Sequence, residues 1–195
     1  IRSARRFLKA CNRSIDIDQL TFFTLNEHTD HATIPSMLEP MAQGHSMGII
    51  SEAGCPAIAD PGADVVAIAQ QRGYNIVPLV GPSSILLSLM ASGFNGQSFA
   101  FNGYLPIDQN SRNAKLKEMD RRIRRERQTQ IFIETPYRNN KLIEELSRSL
   151  PGDVMLCVAS DITGQKQSII TRRLSQWSKA SYDYNKIPTI FLLFS

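Results

Sequence analysis

Apolar positions along this chain switch back and forth between helical and strand spacing. Residues 3–11 set Ala4, Phe7, Leu8 and Cys11 at helical intervals with arginines opposite. Leu20 to Leu25 is rich in strand formers, and a helix is expected from Thr33 to about Gln43, kinked by Pro40 and stopped by Gly44. Met47-Gly48-Ile49-Ile50 reads as a short buried strand, Asp64 to Gln71 as a helix ended by Gly73, and Asn75 to Val80 as another strand. A further helix runs from Ile85 to Ala91 and closes at Gly93. Beyond Ser98 the spacing changes. Strands are expected at 99–101, 131–133, 154–159, 167–171 and 190–194, and helices at 111–127, 136–150 and 174–180.

Strand and helix alternate through the first half, as in a parallel sheet wound with helices; such sheets bind ligands at the carboxyl ends of their strands. The second half has more strands per helix and hairpin-like returns, so a mixed sheet is expected. The reading is α/β, with two small domains: residues 1–96 and 97–195. The length, 195 residues, is compatible with this.

Composition narrows the class. With 42% apolar and 21% charged residues, disorder and fibrous architectures are excluded for the whole chain. Cys11, Cys55 and Cys157 lie far apart and make neither a disulfide framework nor a zinc cluster. A reducing, cytoplasmic setting and no metal are the expectations. Gly81-Pro82-Ser83-Ser84 interrupts the longest apolar stretch, so no membrane span is expected. The first residues, Ile1 to Lys9, read as the inside of a helix without an initiator methionine or a signal-peptide core, and residues upstream are expected to be absent from this sequence.

Two loops carry candidate chemistry. Ser51 to Gly62 holds Glu52, Asp60, two glycines and two prolines between a strand and a helix. It is long for such a connection, which favours a functional loop over a rigid linker. It is no phosphate loop, since it lacks a Gly-Lys-Ser/Thr ending and its acids would repel phosphate. In Gly81-Pro82-Ser83-Ser84, a serine could simply cap the next helix. Two loops at consecutive strand ends would instead share one ligand.

These loops, with Asn102-Gly103-Tyr104-Leu105-Pro106 and Glu134-Thr135-Pro136-Tyr137-Arg138, come in an order that resembles the tetrapyrrole-methylase superfamily of S-adenosylmethionine-dependent methyltransferases. Within it the chain is most similar to the branch that methylates a cytidine ribose 2′-hydroxyl in small-subunit ribosomal RNA. The resemblance implies two α/β domains, a cofactor cleft between them and a homodimer. It implies that Ala53, Gly54 and Cys55 hold the methionine part of S-adenosylmethionine, with Ser83 and Ser84 against it. Glu134 would face the cofactor from the second domain, and Ile162, Thr163 and Pro188 would line the adenine. The family's first strand and its Gly/Pro-rich loop have no counterpart here. An acid-threonine-arginine motif usual in the ribose-methylating branch is reduced to Arg2-Ser3-Ala4-Arg5. A glycine-glutamate pair before the last strand is replaced by Ile187-Pro188, which is closer to other superfamily members.

Methyl transfer to a ribose hydroxyl needs alignment and a base within hydrogen-bond reach. Glu134 is the first candidate, ahead of Glu52 and Asp60. Residues 111–127 carry eight basic against three acidic side chains, a local charge of +5 beside +4 for the whole chain. Such a surface suits a phosphodiester backbone, with Arg121, Arg122, Arg124 and Arg125 as candidate contacts; the alternative is a solvated helix with internal ion pairs. Tyr104, Tyr137 and Arg138 could stack on an unpaired nucleotide or merely pack. The leading expectation is an S-adenosylmethionine-dependent ribose 2′-O-methyltransferase of ribosomal RNA. The alternatives are a C-methyltransferase of a porphyrin or corrin precursor and a non-catalytic cofactor-binding paralogue.

Overall fold

The arginines opposite Phe7 and Leu8 keep α1 (Arg2–Cys11) amphipathic, yet it buries none of its residues. The computed structural model describes residues 1–195 and separates them into two units, Ile1–Pro82 and Ser83–Ser195. In the first unit the helix expected at 33–43 is broken into α2 (Ile34–Met37) and α3 (Glu39–Ala42), because Pro40 can sit only in the first turn of a new helix. α4 (Ala63–Gln71) follows, with Gly62 before it at φ +139°. The backbone angle favours glycine there, and a Cβ would lie 3.3 Å from the Ala57 amide nitrogen, tighter than an ordinary contact.

The wound parallel sheet expected for the first unit is not formed. Segments 20–25, 47–50 and 75–80 form no helix or strand and make no ladder with one another. Apolar, β-branched composition makes a segment extended; a strand also needs a partner for every second amide and carbonyl, which local sequence cannot specify. Val77, Leu79 and Val80 are 66%, 87% and 106% exposed. Buried apolar residues in this unit reduce to Ile17, Ile34, Leu38 and Ala69.

The second unit begins with α5 (Ser84–Ser92), fourteen residues ahead of the boundary read from the sequence. The mixed sheet expected there is present: β1 (Phe99–Tyr104), β2 (Thr129–Ile133), β3 (Met155–Ser160), β4 (Ser168–Arg173) and β5 (Thr189–Phe194), in the order β1-β2-β5-β3-β4. Only β1 and β2 are parallel. Gly103, at φ +63°, bulges β1, and pairing resumes at Tyr104 opposite Ile133. The turn expected at 102–106 is thus partly strand.

Side chains alternate between the two faces with a period of two. Ile131, Cys157, Ala159, Ile190 and Leu192 share one core with Leu89 of α5. Phe132, Leu156, Val158, Phe191 and Leu193 enter a larger core on the other face. Against it pack α6 (Gln109–Glu126), α7 (Asn139–Ser149) and α8 (Leu174–Trp177). α5 joins this unit because Ile85, Ser88, Leu89 and Ser92 recur at helical spacing on the face it turns to the sheet. No helix of the protein is long and apolar enough to cross a membrane.

Candidate active site

The strand register gathers distant residues at one sheet edge. Tyr104 ends β1 opposite Ile133, which ends β2 immediately before Glu134. Ile133 faces Ile190, so β5 starts there, just after Pro188. Ser160, the last residue of β3, pairs with Thr189, and the turn Asp161-Ile162-Thr163-Gly164 leaves from that point. The Asp161 amide donates to the Pro188 carbonyl at 2.9 Å, tying the two together. Tyr104, Glu134, Pro188 and Ile162-Thr163 therefore lie in that order along one end of the sheet, although up to 84 positions apart in the sequence.

α5 is directed at the same edge. Its C-terminal end lies at the opposite one: Phe94 packs on Phe194 with ring centres 5.5 Å apart, and Thr171 donates to the Ser92 carbonyl at 2.9 Å. Nine residues of helix span only about 13 Å, so Ser83 and Ser84 point back toward the start of β5. Neither serine caps the helix, and the amides of Ser84, Ile85 and Leu86 have no acceptor in the protein. Free hydroxyls and amides at a helix start suit a carboxylate or another anion.

The 161–164 turn is strained. Asp161 and Thr163 adopt φ +48° and +66°, a region that costs L-residues about 1–2 kcal/mol each. A Cβ on Gly164 would run into the Asp161 carboxylate, which would have to swing away and give up its bond to the Lys166 amide. The Asp161 carboxylate accepts from the Lys166 amide at 2.7 Å, which holds the turn closed.

Glu134 is 9% exposed, and its oxygens already have partners. Oε1 accepts from the Thr135 amide at 2.8 Å and from its hydroxyl at 3.3 Å; Oε2 accepts from Arg112 Nη2 at 3.1 Å. Arg138 Nε stands 3.8 Å away. Arg112 also donates to the Pro106 carbonyl at 3.3 Å, and its Nε lies 2.9 Å from Glu145 Oε1, an ion pair without an aligned hydrogen bond. Arg112 thus joins β2, α7 and the segment after β1. Asn139, wholly buried at the start of α7, donates to the carbonyls of Tyr184 (2.9 Å) and Ile187 (2.8 Å) and to Thr189 Oγ1 (3.1 Å). It fixes the entry to β5.

Neither residue was singled out as functional in the sequence, though each carries a signal. Arg112 precedes Leu116, Met119 and Ile123 on the buried stripe of α6, and Asn139 precedes Leu142, Ile143 and Leu146 on that of α7. A polar residue in register with an apolar stripe marks a buried polar hub.

The other expected residues are placed as follows. In the first unit, Ala53, Gly54 and Cys55 lie on the loop before α4, and the Cys55 thiol reaches the Pro82 carbonyl at 3.7 Å, so this loop and the Gly81-Pro82 turn are adjacent. Ala57 and Ala59 have φ +67° and +54°, strain of the same kind as at 161–163. Glu52 is exposed and accepts from Ser3 Oγ at 2.5 Å; Asp60 is exposed with no hydrogen bond. Tyr137 is exposed and Arg138 half-buried. Arg122 pairs with Glu118 at 2.8 Å, while Arg124 pairs with Asp120 and with Asp153. The bond from Arg124 holds Asp153 below the usual carboxylate range, and Asp153, then Asp120, raise Arg124 in turn. Arg121 and Arg125 are exposed with no carboxylate partner.

No family model matches the chain. It is 32% identical over 147 residues to ribosomal RNA small subunit methyltransferase I of Vibrio cholerae, spanning 75% of this chain and 50% of that protein. The protein of the same name from Pasteurella multocida is 30% identical over 159 residues, 80% of this chain and 55% of the relative. The chain spans about half the length of the curated relatives it matches. Among solved structures, the methyltransferase CobJ superposes with a TM-score of 0.61 at 18% identity, covering 94% of this chain and 78% of that one. Uroporphyrin-III C-methyltransferase from Thermus thermophilus, complexed with S-adenosyl homocysteine, gives 0.54 at 16% identity over 100% and 90%. The fold is that of the tetrapyrrole methylases. The sequence relatives beside it are named as ribosomal RNA small subunit methyltransferases.

Proposed function

We propose that this protein is an S-adenosylmethionine-dependent methyltransferase acting on a ribose 2′-hydroxyl of small-subunit ribosomal RNA. The observation that supports the reading is the end of the sheet where β2, β5 and β3 place Glu134, Pro188 and Ile162-Thr163, with α5 packed on one face and the Glu134 carboxylate turned to the other, in a chain whose sequence relatives are named as small-subunit ribosomal RNA methyltransferases. The chemistry of this edge fits the donor. Unpaired amides and hydroxyls at the start of α5 suit its carboxylate, and the strained 161–164 turn with Pro188 offers backbone and an apolar rim to its adenine.

When bound, the donor supplies an electrophilic methyl group on a sulfonium. The protein then has to orient the hydroxyl and take its proton. Glu134 is the carboxylate of this edge, but it can accept that proton only by giving up a donor it already has. Exposed Tyr104 and Tyr137 offer flat faces for an unstacked nucleotide beside it. A cytoplasmic homodimer accords with this reading.

The test is to incubate the protein with donor carrying an isotopically labelled methyl group and either ribosomal RNA or uroporphyrinogen. Label on a ribose 2′-oxygen supports the proposal. Label on the macrocycle would move the protein to tetrapyrrole C-methylation, and donor binding without transfer would make it a non-catalytic relative.

A further inference from the structure

Eight basic side chains crowd residues 111–127, and the structure divides them sharply. Arg112 is buried between Glu134 and Glu145. Lys115 and Arg122 both face Glu118, at 3.3 and 2.8 Å. Arg124 pairs with Asp120 and Asp153. Arg127 donates to the Ser195 carbonyl and lies over the Phe194 ring, 4.6 Å from its centre. Lys117, Arg121 and Arg125 remain. All three are exposed, none has a carboxylate within 4.0 Å, and none donates a side-chain hydrogen bond.

Their spacing is regular. Positions 117, 121 and 125 are successive members of one four-residue ridge, inclined to the axis of α6. Each step advances about 6 Å, so the three charges line about 12 Å of helix. Four-residue steps toward the N-terminus continue the ridge through Asn113 and Gln109, both uncharged and hydrogen-bonded to each other at 3.1 Å. The buried stripe of α6 is Arg112, Leu116, Met119 and Ile123, so the ridge is not needed for packing. A row of unpartnered cations repels itself and gains by neutralisation.

We propose that Lys117, Arg121 and Arg125 form the ridge that grips the phosphodiester backbone of the RNA substrate. Arg122 and Arg124, also expected there from sequence, are held by carboxylates of the protein. This rests on the reading of the protein as an RNA methyltransferase and assigns the residues by which it holds the strand. Each cation neutralises one phosphate and releases its counterion, while base identity is read elsewhere.

The experiment measures binding of transcribed small-subunit ribosomal RNA to the wild type, to K117Q/R121Q/R125Q, and to K141Q/R148Q/K179Q, which removes the same charge from exposed sites elsewhere. The salt series runs between about 50 and 200 mM. The ridge variant is expected to bind at least about tenfold more weakly at low salt. Its log–log salt slope should be shallower by about 2, from about 0.7 per phosphate on a single strand. The control variant should stay within about twofold of wild type. Equal losses in both variants, an unchanged slope in the ridge variant, or no RNA binding by the wild type would overturn the proposal. S-adenosyl homocysteine binding and methyl transfer are measured in parallel. A wild type that methylates RNA with a ridge variant that binds normally sinks the ridge alone. Ridge-dependent RNA binding without any methyl transfer sinks the methyltransferase reading and leaves the ridge standing.

Discussion

Arg112 Nη2 lies 3.1 Å from Glu134 Oε2, with the two side chains only 2% and 7% exposed. A cation from the start of the chain's most basic segment is thereby enclosed beneath the end of the sheet that carries the candidate site. Glu145 makes the cluster a buried cation between two carboxylates. Removing one member of such a cluster leaves charge in a poorly solvated place.

The first prediction concerns that cation. Arg112→Met should destabilise the protein by about 3–5 kcal/mol, seen as a fall in the urea midpoint. Arg112→Lys should recover only part of this, since an ammonium cannot bridge two carboxylates and the Pro106 carbonyl as a planar guanidinium does. A change below about 1 kcal/mol for Arg112→Met would show that the cluster contributes no more than a surface pair.

Glu134→Gln separates two roles. If Glu134 takes the hydroxyl proton, kcat at saturating donor should fall at least about 100-fold, on top of the stability lost with the buried ion pair. If it only anchors residues 134–138, stability and donor affinity should fall while kcat at saturation is largely kept. The occupied oxygens favour the second outcome. Steady-state kinetics with a parallel melting curve decides it.

The sheet of the second unit was legible because its strands are apolar runs bounded by turns, and the two-residue alternation sorts Ile190, Phe191, Leu192 and Leu193 between two cores without knowledge of partners. Pairing was not legible. Nothing local at Val77, Leu79 and Val80 says whether a neighbour will satisfy their amides, and here none does. The position of α5 was missed for a related reason: its apolar spacing shows that it packs, but not on which unit. In α6 the total charge was legible while its division was not, because Glu118, Asp120 and Asp153 each select a partner in three dimensions.

Asn139→Ala removes the Nδ2 group whose two hydrogens are shared among the Tyr184 carbonyl, the Ile187 carbonyl and Thr189 Oγ1 at the entry to β5. A loss of about 2–4 kcal/mol is expected, together with weaker donor binding as the Ile187-Pro188 segment loosens. Asn139→Asp should do no better, since it sets acceptor-only oxygens against two carbonyls. Calorimetric titration with S-adenosyl homocysteine and a urea curve give both quantities. Full stability with full affinity in the alanine variant would contradict this role.

The start of α6 predicts a pH dependence. The amide of Ser111 donates to the Asp108 carboxylate at 2.8 Å; this bond first, and the Ser111 hydroxyl second, hold its pKa below the usual carboxylate range. A depressed native pKa gives stability that is complete above the unfolded value and is lost as pH falls through the native one. Asp108→Ala should therefore melt below wild type at neutral pH, and the gap should narrow as the pH falls below the ordinary carboxylate range. A gap that stays constant with pH would show that the carboxylate's charge is not involved.

The central claim is that one edge of the sheet seats the methyl donor. Hydrogen exchange of the protein with and without S-adenosyl homocysteine reads this directly. Slowed exchange is predicted at the amides of Ser84 to Leu86, Thr135, Tyr137, Arg138, Ile162 to Gly164 and Thr189. Protection confined to other surfaces, such as the groove between Glu144, Arg148 and Tyr182, would contradict it.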